Sequence, residues 1–165
     1  MATATPVYSA AAALTCTIAS LATDANLLVG RESTAVDQKD TDDAIDVLLG
    51  GKITTGTTPT AAKQIEIWLY GSYDDTEFSA SATGADAALT VTAETKTLLK
   101  LFHIIPTNAT SDNPYKFGPY SVAQCFGGTL PVQWGVWIVH NTGVNLNATA
   151  GNQELVRIPV KYESA

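Results

Sequence analysis

Apolar and polar residues alternate with a period of two along most of this chain, the pattern of strands whose side chains point to opposite faces. In residues 13–20, ALTCTIAS, the positions Leu14, Cys16 and Ile18 fall on one side and Thr15 and Thr17 on the other. Residues 26–36, NLLVGRESTAV, read as a second extended stretch with a bend at Gly30. AIDVLLGGKITTG sets Ile45, Val47 and Leu49 against Asp46 and Leu48, then breaks at Gly50-Gly51, where a bulge or turn is expected. QIEIWLYGSY is the clearest strand, with Ile65, Ile67 and Leu69 on one face and Gln64, Glu66, Trp68 and Tyr70 on the other.

LLKLFHIIP places Leu99, Leu101, His103 and Ile105 opposite Lys100, Phe102 and Ile104. VQWGVWIVHN is apolar on both faces, as a central strand would be. ELVRIPVKY predicts Val156, Ile158, Val160 and Tyr162 inward, with Pro159 marking an edge or bulged strand because it cannot donate to a ladder. One short helix is expected in GPYSVAQCFGG, with Pro119 in its first turn and Gly127-Gly128 as its stop. A second helix or turn is expected near Asp40–Asp43. Strands separated by Gly-, Pro- and Thr-rich turns define the fold class as all-β: an antiparallel β-sandwich, jelly-roll-like, with one or two short helices and a closed barrel as the alternative. Residues 1–12, small and apolar with Pro6, predict an extended N-terminal arm, and 13–165 a single sandwich domain.

Composition sharpens this picture. At 165 residues the chain suits one core. Apolar residues make up 45% and charged residues 15%, below the usual charged share of about 25%, so much of the surface is neutral Ala, Thr, Ser, Asn and Gly. Such a surface suits a protein packed beside many neighbours or an ordinary secreted-type β domain. The net charge is −7 and the nine Lys and Arg are scattered singly, which argues against nucleic acid and against anionic membranes as partners. No apolar run reaches the roughly 18 residues of a membrane helix. The opening MATATPVYSAAAALTCTIASLA lacks the basic n-region of a signal peptide, its first basic residue being Arg31, so it is expected to stay on the protein.

Candidate chemistry is sparse. Asp37, Asp40, Asp42 and Asp43, followed by Asp46, offer carboxylates to a hard cation but lack the glycine and terminal glutamate of an EF-hand loop. A solvated loop is the expectation there, and Asp74-Asp75 reads as a hairpin tip. His103 and His140 have no partners nearby in sequence and are expected to be structural. Cys16 and Cys125 belong to no CxxC pair; two buried thiols are the expectation and a disulfide the alternative. No motif of a nucleophile elbow, zinc peptidase, phosphate loop or dinucleotide site occurs. Glu66 and Glu94 are the default carboxylates for glycoside chemistry, with nothing to recommend them. The chain is therefore expected to be no enzyme, with no cofactor and no metal.

Trp134 and Trp137, three apart on a strand, point to opposite faces. Trp68 and Tyr70 form the best aromatic patch, suited either to a sugar or to a subunit interface. GRESTAVD (30–37), LLGGKITTGTTPTAAKQIEIWLYGS (48–72) and FGPYSVAQCFGGTLPVQWGVWIVHNTGVNLNATAGNQ (117–153) resemble small structural proteins of tailed-bacteriophage particles, and the size and β character resemble head decoration (cement) proteins. That resemblance implies a homotrimer on the capsid surface, bracing capsomers of the major capsid protein after synthesis in the host cytoplasm. A tail or neck protein of similar fold would look the same, and so would a carbohydrate- or host-surface-binding module. Trp68, Tyr70 and the arm residues Pro6, Val7 and Tyr8 are the candidate contact residues. The sequons at Asn108 and Asn147 carry no meaning in a phage protein.

Overall fold

The computed structural model describes residues 4–38 and 43–164. The strands in chain order are β1 (Ala4–Tyr8), β2 (Ala12–Ala13), β3 (Val29–Glu32), β4 (Val36–Asp37), β5 (Asp46–Thr54), β6 (Lys63–Ser72), β7 (Ala87–Thr90), β8 (Lys100–Thr107), β9 (Pro114–Ser121), β10 (Gln133–His140) and β11 (Glu154–Ser164). Two one-turn helices interrupt them, α1 (Ala93–Lys96) and α2 (Val122–Cys125). The first sheet runs β1-β11-β5-β9 with β2 also on β11; the second runs β7-β3-β10-β6-β8 with β4 also on β10. Every pairing is antiparallel, and the chain crosses between sheets from β2 to β3, β4 to β5, β5 to β6, β8 to β9, β9 to β10 and β10 to β11. The sandwich expected from the alternation is present.

The inner faces hold the main core. β5 supplies Val47, Leu49 and Ile53, β6 supplies Ile65, Ile67 and Leu69, and β10 supplies Trp134, Val136 and Ile138. Burying each such aliphatic side chain stabilises the fold by about 1.5–3 kcal/mol. A second cluster lies on the opposite face of the second sheet, where Tyr70, Trp137 and Val139 pack with Ala80, Leu89, Val91 and Leu99. β10 is thus apolar on both faces because both are covered, and its two tryptophans divide between the two cores.

Several local expectations need correction. The 14–18 stretch keeps its inward parity, with Leu14 and Ile18 buried, but only Ala12–Ala13 pair as strand. Gly30 lies inside β3, not at a bend; a Cβ there would sit 2.3 Å from the Ile138 carbonyl oxygen and 2.8 Å from the Trp137 indole nitrogen. The expected helix begins later, at Val122, with the Ser121 hydroxyl accepting from Gln124 N–H, while Pro119 belongs to β9. Its glycine stop holds: Gly127 and Gly128 take φ +82° and +98°, a left-handed conformation that glycine adopts without a Cβ penalty. α1 was not anticipated, although Thr92 and Thr95 form a reciprocal capping box at its start. The turn expected at Asp40–Asp43 lies mostly outside the described residues.

Two further corrections concern which way side chains face. In β8 the register against β6 shifts between Ile67 and Trp68, pairing Ile67 with His103 and Trp68 with Leu101. Phe102 is the extra residue, so Leu101 and Ile104 both turn outward and are exposed while Ile105 is buried. In β11 the expected parity is inverted. Leu155, Arg157 and Pro159 are the register partners of Gly51, Leu49 and Val47 and share their inward face; Val156, Ile158, Val160 and Tyr162 face out. Nor is β11 an edge strand, since it pairs with β5 on one side and β1 and β2 on the other.

Candidate functional site

The outer face of the first sheet is apolar where solvent would ordinarily demand polar residues. β11 contributes Val156, Ile158 and Tyr162 to it and β5 contributes Leu48 opposite Ile158, while Val160 on the same row is buried and stands opposite Asp46. β1 adds Pro6 opposite Tyr162 and Tyr8 opposite Val160. Tyr8 and Tyr162 are 64% and 61% exposed, far more than an aromatic ring resting on its own protein, and Ile45 stands exposed beside them. The far end of the same face is charged, with Glu154 opposite Lys52 and Lys52 opposite Lys116. One half of this sheet is therefore water-facing and the other half is an apolar stripe of strand side chains.

The arm residues Pro6, Val7 and Tyr8 all lie in β1, but only Pro6 and Tyr8 belong to this surface; Val7, opposite Lys161, turns to the other face of the sheet and is half-buried. β1 is an outermost strand hydrogen-bonded to the end of the same chain. Ser9 N–H donates to Pro159 O at 2.9 Å, which fixes the alternation: Thr5 and Val7 turn their backbone groups toward β11, and Ala4, Pro6 and Tyr8 turn theirs to the free edge. Pro6 thus leaves a gap in the edge where an N–H would stand. Pro159, within a strand paired on both sides, places its missing donor opposite Ser9, just where β1 gives way to the connection to β2.

A second apolar strip lies on the opposite side of the sandwich, on the outer face of β8. It comprises Leu101, Ile104 and Pro106, paired with Trp68, Glu66 and Gln64, with exposed Leu98 just before the strand. Trp68 borders the strip half-buried. Its indole N–H donates to Glu66 Oε2 at 2.8 Å, and Lys96 Nζ reaches the same oxygen at 2.7 Å while standing 4.9 Å from the indole centroid. Gln64 Nε2 donates to Glu66 Oε1 at 2.5 Å. Both ends of the Glu66 carboxylate are therefore occupied. A shallow hollow of about 330 Å³ between Trp68, Lys96, Asn26 and Leu28 opens onto this cluster.

Tyr70 does not join Trp68 on a free surface, contrary to the sequence expectation. It is fully buried, its hydroxyl donates to Ser33 O at 2.5 Å, and its ring meets Phe78 edge-on at 5.6 Å. Burial pushes its phenol well above the ordinary range. The cause is the second core, a layer of loop residues over a face that alternation alone leaves open.

The remaining polar candidates are held in place by structure. His140 is buried, with Nδ1 3.0 Å from Thr142 Oγ1 and Nε2 3.0 Å from Leu21 O; burial lowers its pKa, partly offset by the Leu21 carbonyl. His103 stacks on Phe117 at 6.0 Å, and burial lowers its pKa as well. Cys16 and Cys125 are free thiols, both raised in pKa chiefly by burial. Asp46 accepts from Val47 N–H at 2.7 Å and Ala123 N–H at 2.9 Å, so it ties α2 to β5; Asp40 and Asp42 lie outside the described residues. Glu94 is exposed on α1. Among the described residues no group of three or more His, Cys, Asp or Glu is placed to hold a metal ion. No helix is long and apolar enough to cross a membrane among the residues described.

Comparison with family models, with curated proteins and with solved structures finds no match for this chain.

Proposed function

We propose that this chain is a structural subunit of a larger particle: a phage virion protein, and within that class a head decoration protein that joins neighbouring capsomers. The observation that carries the reading is the apolar outer face of the first sheet at Pro6, Tyr8, Leu48, Ile158 and Tyr162, which free in water would be a liability and in an assembly becomes an interface. The Leu101–Ile104–Pro106 strip on the other side of the molecule gives a second contact, and a bridging protein needs two. The low charged share, 15%, supports the same reading, because it leaves much of the surface neutral and free to pack closely without desolvating charges. The mechanism is mechanical: many modest apolar contacts, each copy adding surface across a capsomer boundary, sum to resistance against internal pressure. The partners would be the major capsid protein and other copies of this chain, as a trimer.

Quantitative mass spectrometry of purified particles tests this directly. A copy number equal to that of the shell protein, or a simple fraction of it, supports decoration. A handful of copies moves the protein to the tail or neck, and absence removes the virion reading. The hollow beside Trp68 favours one competing reading, a carbohydrate-binding module. That module would be monomeric and would shift its tryptophan fluorescence on adding glycans, whereas a decoration protein would be oligomeric and indifferent to sugars.

A further inference from the structure

The outer face of the first sheet is complementary to itself. Its two central strands, β11 and β5, present three successive rows of outward positions: Glu154 opposite Lys52, Val156 opposite Gly50 and Ile158 opposite Leu48. The first row sets an acid beside a base. The second sets a branched side chain beside a position that has none, and the third is aliphatic on both strands. Glu154 is exposed and joins no ion pair among the described residues. Lys52 beside it donates instead to the Gly151 carbonyl oxygen at 3.2 Å, so the carboxylate is left for another cation.

Two sheets stacked face to face lie about 10 Å apart with their strands nearly aligned. A two-fold axis running along the strands, midway between β11 and β5, lays β11 of one copy over β5 of another and keeps each row at its own height. Every Glu154 then meets Lys52 of the other copy, every Val156 enters the dip over Gly50, and every Ile158 packs on Leu48. Because such a contact is isologous, each match is made twice. The four strands from Glu154 to Tyr162 cover about 19 Å by 27 Å, roughly 500 Å² of each partner in projection, and the pair reaches the roughly 1,000 Å² at which specific interfaces begin. We propose that this face pairs with a second copy of the same chain about that axis. A surface shaped for an unrelated protein has no need to match its own charge, recess and apolar row in register. The inference rests on the reading of this face as a contact surface, and not on a virion as its setting; a trimer built through the second strip would be doubled by it.

The test uses two charge reversals of the full chain, Glu154→Lys and Lys52→Glu, followed by sedimentation equilibrium at low salt. The unaltered protein is expected to contain an even number of chains. Either variant alone places like charges together in both halves of the contact, and should weaken it about tenfold or more. Mixed one to one, the new lysine of one chain faces the new glutamate of the other, while the native glutamate and lysine face each other in the second half. Like charges still stand side by side within each variant chain, so association that returns on mixing comes from between the chains. An odd number of chains in the unaltered protein would overturn the proposal, as would undiminished association of the variants or no recovery on mixing. A lone chain would overturn this pairing only, since the wider contact reading is decided by the copy number in particles. Should a reversal variant fail to fold, Val156→Asp, which sets a carboxylate over Gly50 of the other copy, must halve the mass, and an unchanged mass would overturn the pairing.

Discussion

Glu32 is fully buried in β3, and its carboxylate accepts Thr83 N–H at 2.9 Å, Thr83 Oγ1–H at 2.8 Å and Gly84 N–H at 3.3 Å. A charge so placed is tolerated because three donors converge on it. Glu32→Gln turns an NH₂ group toward donors that need an acceptor, and is expected to lower unfolding free energy by about 1–3 kcal/mol, read from urea denaturation. Next to it, Asp86 accepts from Arg31 Nε at 2.6 Å and from Thr17. Burial alone would raise its pKa, but the bonds from Arg31 and Thr17 outweigh that and lower it. Together they pin the 79–86 connection over the second core. The two histidines govern a different pH range. Both are depressed below the ordinary value of 6.5 by burial, so the unfolded chain takes up protons that the native protein refuses. Their contribution to stability is full above about pH 6.5 and is lost as pH falls below it, before the lowered carboxylates Asp24 and Asp86 begin to protonate under 3.8. Urea midpoints at about pH 7.5 and pH 5.5 should therefore differ, with the acidic one lower, and His140→Gln should narrow the gap even though it weakens the protein at both.

Among the elements, strand existence was legible because alternation reports it directly, and β6 and β10 match their pattern residue for residue. Facing was legible only where one side is polar. β11 misled because its outward row, Val156, Ile158, Val160 and Tyr162, is the more apolar of the two, while its inward row carries Arg157 and Pro159. The bulge at Phe102 left no mark in sequence, since LLKLFHIIP is apolar on either side of it. Of the expected contact residues, Pro6, Tyr8 and Trp68 reach the surface and Tyr70 does not, because what covers a face comes from distant loops. Leu48 and Ile158 were missed as contact residues because the surface they share forms only once β5 and β11 pair. β1 adds a prediction at this scale. Its free edge carries a gap at Pro6, a device that discourages another strand from adding there. Pro6→Val restores the donor, and static light scattering should show more association than in the unaltered protein; an unchanged mass would mean the edge is guarded by something else.

For the molecule as a whole, two apolar surfaces on opposite sides let one copy touch two partners at once; where the first surface of one copy meets the second of another, the contact is head-to-tail and closes into a ring or extends into an array. Placing a charge in either surface should block assembly while leaving the fold intact. Ile158→Lys on the first sheet and Leu101→Glu on the second both act at outward positions, so circular dichroism should be unchanged while sedimentation shows smaller species. Normal assembly by both variants would remove these faces from the argument. The ribbon of β1 and β11 bears on how a particle built as proposed would carry tension. Ala4 and Ser164 are register partners, with the remaining pairs following in order to Tyr8 and Val160. Pulling these two residues apart would open the ribbon one pair at a time, like a zipper, and meet little resistance. In the proposed role, a shell under strain would be better braced through the broad sides of this molecule, where strands must slide past one another together, than through a tether fixed at Ala4 or Ser164.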